Sequence, residues 1–434
     1  MLATINSRRQ SQIPLVMRIL VVSQSYSPEP TSVGPFTTGL AEHFAESGHS
    51  VVVATTFPHY PQWRWQDGTR RIRFIETINH VQVRRWRVIL PRRPGSATWR
   101  LVFDMSMGLG MILNSIGVDV PDVVICSSPP LETAFVGILL GVLWRRPFVI
   151  LAQDMPVQAG LAVGMLKPGR VTRLALAFEG ALYRRATRVV TISARFSGQL
   201  SDLGVRPSSI SYIPNWINPE AFRQERPSAL MRSRLGASDG DFLVIHAGNM
   251  GRKQALEHVI ETTGLFSKES RVRVALVGDG PQVPKLESDI AQRNLPGIRR
   301  LPLLPAAEVP AMLAASDVLL VSQRARVIDS VLPSKTLAYM ASGKPIIAAV
   351  DRRSATADLI VAADCGLVVA PEDARALADG IEQLKRDPDM GRRLGSNGRR
   401  YAMDRFSKDK VMRKWDALLA EVTSERVAPY RRHQ

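Results

Sequence analysis

FLVIHAGNMGRKQAL, residues 242–256, decides how the chain is read. Phe242 to Ile245 form a short apolar run with the composition of a buried strand. Gly248 and Gly251 break the run. Leu256, Val259, Ile260 and Thr263 then recur at helical spacing. The stretch reads as strand, glycine loop, helix, with Arg252 and Lys253 at the helix start. A helix N-terminus already carries positive potential, so two cations there oppose the macrodipole unless an anion lies between them. A phosphate meets that need, because loop amides point outward, glycines allow close approach and the charges add. Side chains splayed into solvent are the plain alternative. No Gly-Lys-Ser/Thr follows, and the third glycine of the dinucleotide fingerprint is missing.

The rest of the second half repeats this logic. A strand at 272–277 leads to the turn Gly278-Asp279-Gly280 and a helix, followed by a weaker strand near 298–301 and a helix at 307–315. A strand at 318–322 precedes the loop QRARVIDSVLPS, a helix at 335–342 closed by Gly343, and strands at 345–350 and 366–369. The first half opens with a strand at 18–23, a loop to Gly34, a helix carrying Phe36, Leu40 and Phe44, and a strand at 50–54. That is a βαβ unit, which implies a parallel sheet. Further strands read at 122–126, 148–152 and 188–192, with Ser193 as cap of the helix after the last. The proline-rich segment 213–225 reads as a linker. Two α/β halves of similar size, joined near residue 215, predict two Rossmann-like domains facing a cleft, with ligands at the carboxyl ends of the strands.

The chain has 434 residues, enough for two or three domains, and 45% hydrophobic residues, which excludes wholesale disorder. Its net charge of +18 points to an anionic partner: nucleic acid, an anionic membrane surface or a phosphorylated substrate. Cys126 and Cys365 stand far apart in apolar settings, which argues against a disulfide framework or zinc site. The longest apolar run, 133–144, is stopped by Arg145-Arg146-Pro147 at about half the length needed to cross a bilayer. Residues 1–16 lack the apolar centre of a signal peptide. The fold pattern starts at Arg18, which makes Met17 a candidate start.

Three loops are candidates for one anion: Gly34, Gly251-Arg252-Lys253, and Ser330 to Lys335. In the last, Ser334 is available as N-cap and Lys335 falls in the first turn. Two helix starts carrying cations in one domain point to a diphosphate. Residues 70–100 carry nine arginines (Arg70, Arg71, Arg73, Arg84, Arg85, Arg87, Arg92, Arg93 and Arg100) against the single acid Glu76. With Trp86 and Trp99 inside the run and Trp63 and Trp65 before it, this stretch and the 101–113 helix face are candidates for contact with an anionic membrane. Ordinary core packing of that helix is the alternative.

The ordered set SYSPEPTSVGPFTTGLAEHFAESGHSVVVAT, HYPQW, CSSPPL, LAQDMP, IPNWIN, HAGNMGRKQALE, VGDGP and LPSKTLAYMASGKPIIA resembles the family 4 glycosyltransferases of GT-B fold. The similarity is to the bacterial exopolysaccharide and O-antigen branch of colanic-acid and N-acetylfucosamine transferases, over residues 17–420. It implies an acceptor-binding Rossmann-like domain at 17–214 and a nucleotide-sugar-binding domain at 215–400. A helix and tail at 401–434 would cross back onto the first domain. It implies a nucleotide-diphosphate sugar as donor substrate, no cofactor, no required metal, and transfer with retention. Arg252 and Lys253 would stabilise the diphosphate leaving group as its charge develops. Gly34 would let backbone approach the diphosphate or sugar, Gly278 and Gly280 would shape the wall beside the nucleotide, and Leu303 within 301–304 would face the base.

The sequence departs from the family pattern in two places. A glutamate pair spaced by seven residues is replaced by Ser330 and Ala338, which puts the ribose and sugar contacts in question. The histidine after the fourth strand is replaced by Gln153-Asp154. Asp154 is then the acid placed to orient or deprotonate the acceptor hydroxyl, and Glu29 is a second candidate. A turn cap for Asp154 and a solvated carboxylate for Glu29 are the alternatives. Asp239-Gly240-Asp241 precedes its strand and lies at the wrong end of the sheet for a metal site, and Asp387-Pro388-Asp389 lies in a helical region.

The resemblance implies a hexosyl- or N-acetylhexosaminyltransferase of surface-polysaccharide assembly, acting on a polyprenyl-diphosphate-linked saccharide at the cytoplasmic face of the membrane. A GT-B sugar-nucleotide 2-epimerase would need more acidic and histidine chemistry than these loops hold. A nucleic-acid-binding protein is permitted by charge, but no RNP, zinc-finger or helix-turn-helix pattern is present.

Overall fold

The computed structural model describes residues 16–29, 33–59, 63–65, 70–92, 97–162, 166–222, 228–326 and 335–424. They fall into two compact units, Met1–Ser127 with Glu132–Val149, and Ser128–Leu131 with Ile150–Gln434.

The first unit carries β1 (Arg18–Val22), β2 (Ser50–Thr56), β3 (Arg73–Ile78), β4 (Val81–Trp86) and β5 (Val123–Ser128), in the order β3-β4-β2-β1-β5. β1 is parallel to both neighbours, with Leu20 opposite Val52 and Val124. Its apolar run has no polar alternation because Ile19 through Val22 are all buried, as expected of a central parallel strand. The helix Gly34–Glu46 connects β1 to β2 and buries Leu40, Ala41 and Phe44. Gly48 ends the connection in the left-handed region at φ 89°, as a C-terminal glycine should.

The hairpin β3–β4 was not legible in the sequence, and it changes the meaning of the arginine-rich stretch. Asn79 and His80 turn the hairpin with positive φ (48° and 65°), a turn usually signalled by Asn-Gly. β4 is an inner strand, parallel to β2 on one side and antiparallel to β3 on the other. Arg84 and Arg85 are therefore buried structural groups and not membrane ligands, which corrects that expectation. The Arg84 guanidinium donates to the carbonyls of Asn114 (3.3 Å), Ile116 (3.1 Å) and Gly117 (3.0 Å), at the carboxyl end of the helix Ala97–Ser115. A cation there also complements the helix dipole. Arg85 donates across the hairpin to Glu76 and to the Ser27 carbonyl. Arg87 is drawn into the fold as well, donating to the Arg71 carbonyl at 2.7 Å and covering the Trp65 ring. Arg93 lies outside the described residues.

The second unit continues with β6 (Phe148–Ala152), β7 (Arg188–Thr191) and β8 (Ile210–Tyr212), in that order. Ser193 takes the N-cap position after β7 with extended backbone, but its side chain makes no capping hydrogen bond. A separate six-stranded sheet follows. Its strands are β9 (Phe242–Ala247), β10 (Val272–Val277), β11 (Ile298–Leu301), β12 (Val318–Ser322), β13 (Ile346–Ala349) and β14 (Gly366–Val369). Their order is β11-β10-β9-β12-β13-β14, all pairs parallel. Leu243, Ile245, Leu319 and Val321 enter one core, and Val244, Leu276, Leu320 and Ile347 enter another. Alternate residues thus bury on opposite faces, the signature of a doubly wound sheet. Chain direction across the sheet reverses between β9 and β12, so ligands are expected beyond the carboxyl ends of those two strands.

The segment near residue 215 is pinned and not loose. Gln153 and Asn215 exchange two amide hydrogen bonds, 2.9 Å and 2.7 Å, in a buried setting. The helix Lys408–Ser424 lies against strands of the first half: Arg188 of β7 donates to Glu421 at 2.6 Å, and Lys414 stands over the Tyr212 ring of β8. This is the crossing-back expected of the chain's end.

Candidate active site

The carboxyl end of β9 gathers the cationic groups. Lys335, at the start of the helix Lys335–Ser342, places Nζ 3.2 Å from His246 Nε2. A Cβ built at Gly248 would lie 3.4 Å from Lys335 Cε and Nζ, so the amine rests against the glycine loop. Burial depresses the amine to about 7. Burial and the Lys335 charge hold His246 well below the usual histidine range, so the imidazole is neutral. An amine poised in this way gains its full charge when an anion arrives.

Arg252 and Lys253 do not sit at an α-helix N-terminus, which corrects the sequence reading. They belong to a single 3-10 turn, Arg252–Gln254. Ala255 then takes a left-handed conformation (φ 49°, ψ 41°), and the α-helix starts only at Leu256. The turn is built from both ends. The Gly251 amide donates to Gln254 Oε1 at 3.0 Å. Arg324, just beyond β12, donates from its backbone to the Lys253 carbonyl (2.9 Å) and from Nε to the Arg252 carbonyl (2.7 Å). Its other nitrogens bind Glu257 and Glu372. Arg252 is exposed and Lys253 half-buried on this braced turn.

Gly278 and Gly280 stand against the glycine loop itself. A Cβ at Gly278 would fall 1.8 Å from the Gly248 carbonyl oxygen, and one at Gly280 would fall 2.6 Å from that of Met250. Both residues have φ near +150°. The Gly278-Asp279-Gly280 turn therefore packs backbone to backbone against the 248–250 loop and fixes its height above the sheet. Leu303 is exposed two residues beyond β11. Asp241 lies before β9, where its carboxylate is taken by the Ser238 amide (2.8 Å), Arg271 (3.3 Å) and Arg273 (3.5 Å). Ser330 and Ser334 lie outside the described residues.

Asp154 follows β6 in the same unit. Its Oδ1 accepts from the Met155 amide at 2.8 Å, a bond within its own turn. Burial raises the carboxyl to about 6, against the downward pull of the Lys253 charge. The expected acceptor-side acid and the expected diphosphate cation are thus in each other's field.

Behind Asp154 lies a carboxyl that sequence reading missed. Glu179, on the helix Arg170–Arg185, is fully buried, and neither oxygen finds a well-formed hydrogen bond among the described residues. Burial raises it to about 7, and the Asp154 charge adds to the rise. Tyr183, one turn on, reaches Ser128 Oγ at 3.2 Å. A carboxyl raised above its unfolded value binds more protons in the native state, so its contribution to stability falls as pH climbs from about 4.5 to about 7. Glu179→Gln is expected to remove that fall. In urea unfolding at pH 5 and pH 8, the variant should gain on the wild type at pH 8; equal differences at both pH values would refute the buried acid.

Glu29 and Gly34 belong to the first unit. Glu29 is not solvated: its Oε1 accepts from the His59 amide at 2.8 Å, and the residue is buried. A Cβ at Gly34 would lie 2.8 Å from the Glu29 carbonyl oxygen, so the glycine is needed for the loop to close on itself.

Comparison with known proteins places this geometry. Residues 31–216 match the glycosyl transferase 4-like domain, and residues 228–401 match the glycosyl transferases group 1. WcaI of Escherichia coli (strain K12), named for colanic acid biosynthesis, is 30% identical over 407 residues, covering 92% of this chain and 98% of WcaI. The chain belongs to the family 4 glycosyltransferases. The glycosyltransferase WbjE of Pseudomonas aeruginosa is 27% identical over 66% of this chain and 70% of its own. Among solved structures, Anabaena HepE in complex with UDP superposes with a TM-score of 0.70 at 18% identity, covering 93% of this glycosyltransferase and all of HepE (100%). WaaG, a glycosyltransferase involved in lipopolysaccharide biosynthesis, gives a TM-score of 0.66 at 16% identity over 92% and 99% of the two chains. The two-domain GT-B architecture read from the sequence is thereby established.

Proposed function

We propose that this glycosyltransferase moves a hexosyl or N-acetylhexosaminyl group from a nucleotide-diphosphate sugar to a polyprenyl-diphosphate-linked saccharide in surface-polysaccharide assembly, with retention and without a metal or cofactor. The observation that carries the reading is the set of cations at the switch point: the buried Lys335 amine against Gly248, and Arg252-Lys253 on a turn braced by Arg324. Fixed cations of this kind stabilise a leaving group that gains charge as its bond to the sugar breaks. The UDP bound by HepE and the colanic acid role in the name of WcaI support the donor class and the pathway type.

In the proposed reaction the acceptor oxygen bonds to the anomeric carbon as the bond from that carbon to the diphosphate breaks. The nucleoside diphosphate leaves with the bonding pair, beside Arg252, Lys253 and Lys335. Asp154 receives the acceptor hydroxyl proton. Lys253→Ala should lower kcat/KM by about 10- to 150-fold, the equivalent of ~1.5–3 kcal/mol for a lost charged hydrogen bond, with little change in folding. Wild-type turnover in that variant would remove Lys253 from the site. A thermal-shift screen of UDP-, GDP- and TDP-sugars tests the donor itself, since a ligand of the native state raises the midpoint. No shift with any of them would overturn the proposed function.

A further inference from the structure

We infer that Glu179 is a positioning residue for transfer: it forms a proton-sharing pair with Asp154, and its charge, once present, makes Asp154 a stronger base. The inference rests on the reading above of Asp154 as the group that receives the acceptor proton.

The pair is built by two packed helices. Asp154 and Met155 lead from β6 into the helix Pro156–Ala162, which lies on the helix Arg170–Arg185 that carries Glu179. Met155 and Val157 are buried. The Glu179 carboxyl faces the Val157 amide and the Tyr183 hydroxyl, without a well-formed hydrogen bond to either. Asp154 is half-buried and Glu179 has no exposed surface. From solvent inward, the order is therefore Asp154 and then Glu179.

These surroundings do not suit an acid kept for stability alone. Such a carboxyl is hydrogen-bonded or paired with a cation, because an unpartnered one costs more than an apolar side chain of similar size. Glu179 has neither kind of support: the titratable groups that act on it are Asp154 and Tyr183. Tyr183 reaches Ser128 Oγ at 3.2 Å, and burial keeps its hydroxyl protonated. The cation that acts on Asp154 is Lys253, and it is not among the groups that act on Glu179. Glu179 thus answers to the Asp154 charge, and by the reciprocity of coupling Asp154 answers to that of Glu179.

Two carboxyls in one field ionise in two steps. Burial holds Asp154 at about 6 and Glu179, with the Asp154 charge added, at about 7. Between those values the pair keeps one proton, mainly on Glu179. Above them a second negative charge stands behind Asp154 and raises its affinity for a proton. The acceptor O–H bond then breaks toward a stronger base. Its proton goes to Asp154, and its electron pair stays on the oxygen that bonds to the anomeric carbon. No proton passes to Glu179.

The test joins the pH profile of kcat to an infrared titration of isotope-labelled glutamate carboxyls in the full chain. The profile is taken at saturating donor, where the bound diphosphate keeps the Lys335 amine charged. Wild-type transfer should rise through about 6 and again, by about two- to fivefold, through about 7. Glu179→Gln should lose the second rise and keep the first, and Glu179→Asp, which restores an acid, should recover the second. A second rise that survives Glu179→Gln overturns the inference. The infrared titration needs no turnover. A protonated glutamate carboxyl should disappear through about 7 in the wild type and be absent from Glu179→Gln. In Asp154→Asn it should titrate at lower pH, because the opposing charge is gone. A titration that Asp154→Asn leaves unmoved overturns the pair, even where Glu179→Gln does not fold. Normal transfer by Asp154→Asn, with the titration shifted, would defeat the reading of Asp154 as the base and leave the coupled pair standing.

Discussion

Gly278→Ala is expected to cost about 3 kcal/mol or more of stability, an effect at the high end for a single methyl group. The added Cβ would sit 1.8 Å from the Gly248 carbonyl oxygen and 2.8 Å from its carbonyl carbon, so the obstacle is backbone and cannot rotate away. The backbone on both sides is already committed: the Gly248 amide donates to the Val277 carbonyl at 2.9 Å and the Gly278 amide to Leu301 at 3.0 Å. With φ at +150°, the residue also occupies a region that side chains other than glycine's rarely adopt. Urea midpoints measure the effect, at unchanged slope. Gly198→Ala is the control, since a Cβ there meets nothing within 4 Å and lies in the helix Ala194–Asp202. It should be neutral or mildly stabilising. A Gly278→Ala loss under about 1 kcal/mol would mean that the 248–250 loop is free to move, and that the anion site is not preformed.

Asp154→Asn should lower transfer by roughly 10²- to 10⁴-fold, the usual range for a general base, while leaving nucleotide affinity within about twofold. The pH profile supplies the second readout. A base must be ionised to act, so wild-type transfer should rise as pH passes through about 6, where burial holds this carboxyl. Lys253 pulls Asp154 down, so in Lys253→Ala the same limb should move to higher pH, and in Asp154→Asn it should vanish. Normal turnover in Asp154→Asn would leave the residue only its bond to the Met155 amide.

The expected and observed structures agree where burial alone makes the pattern. β6, β10, β12 and β14 lie at the residues read from their apolar runs. Glycine breaks and helical spacing delimit the helices between them, and the ordered motifs identify the family. They diverge where a charged side chain finds a distant partner. Arg84 and Arg85 read as candidates for membrane contact because the carbonyls and carboxylate that take them lie between 9 and 58 residues away. Arg324 was passed over because Glu257, which it binds, is 67 residues distant. Glu179 was invisible in an amphipathic stretch, since nothing local marks one carboxylate as buried.

The sequence by itself determined two doubly wound halves, their strands, the family and the loops that carry glycine and lysine. Periodicity and chain breaks are local properties, and they suffice for that. Only the tertiary structure decided what the glycines and charges do. It moved Arg252 and Lys253 off the helix start and gave Gly278 and Gly280 to loop-on-loop packing. It buried the Lys335 amine beside His246 and turned two arginines of the basic stretch inward. The physical reason is that a side chain's charge state and role follow from desolvation and from the groups brought beside it, and both depend on contacts between residues far apart in the chain.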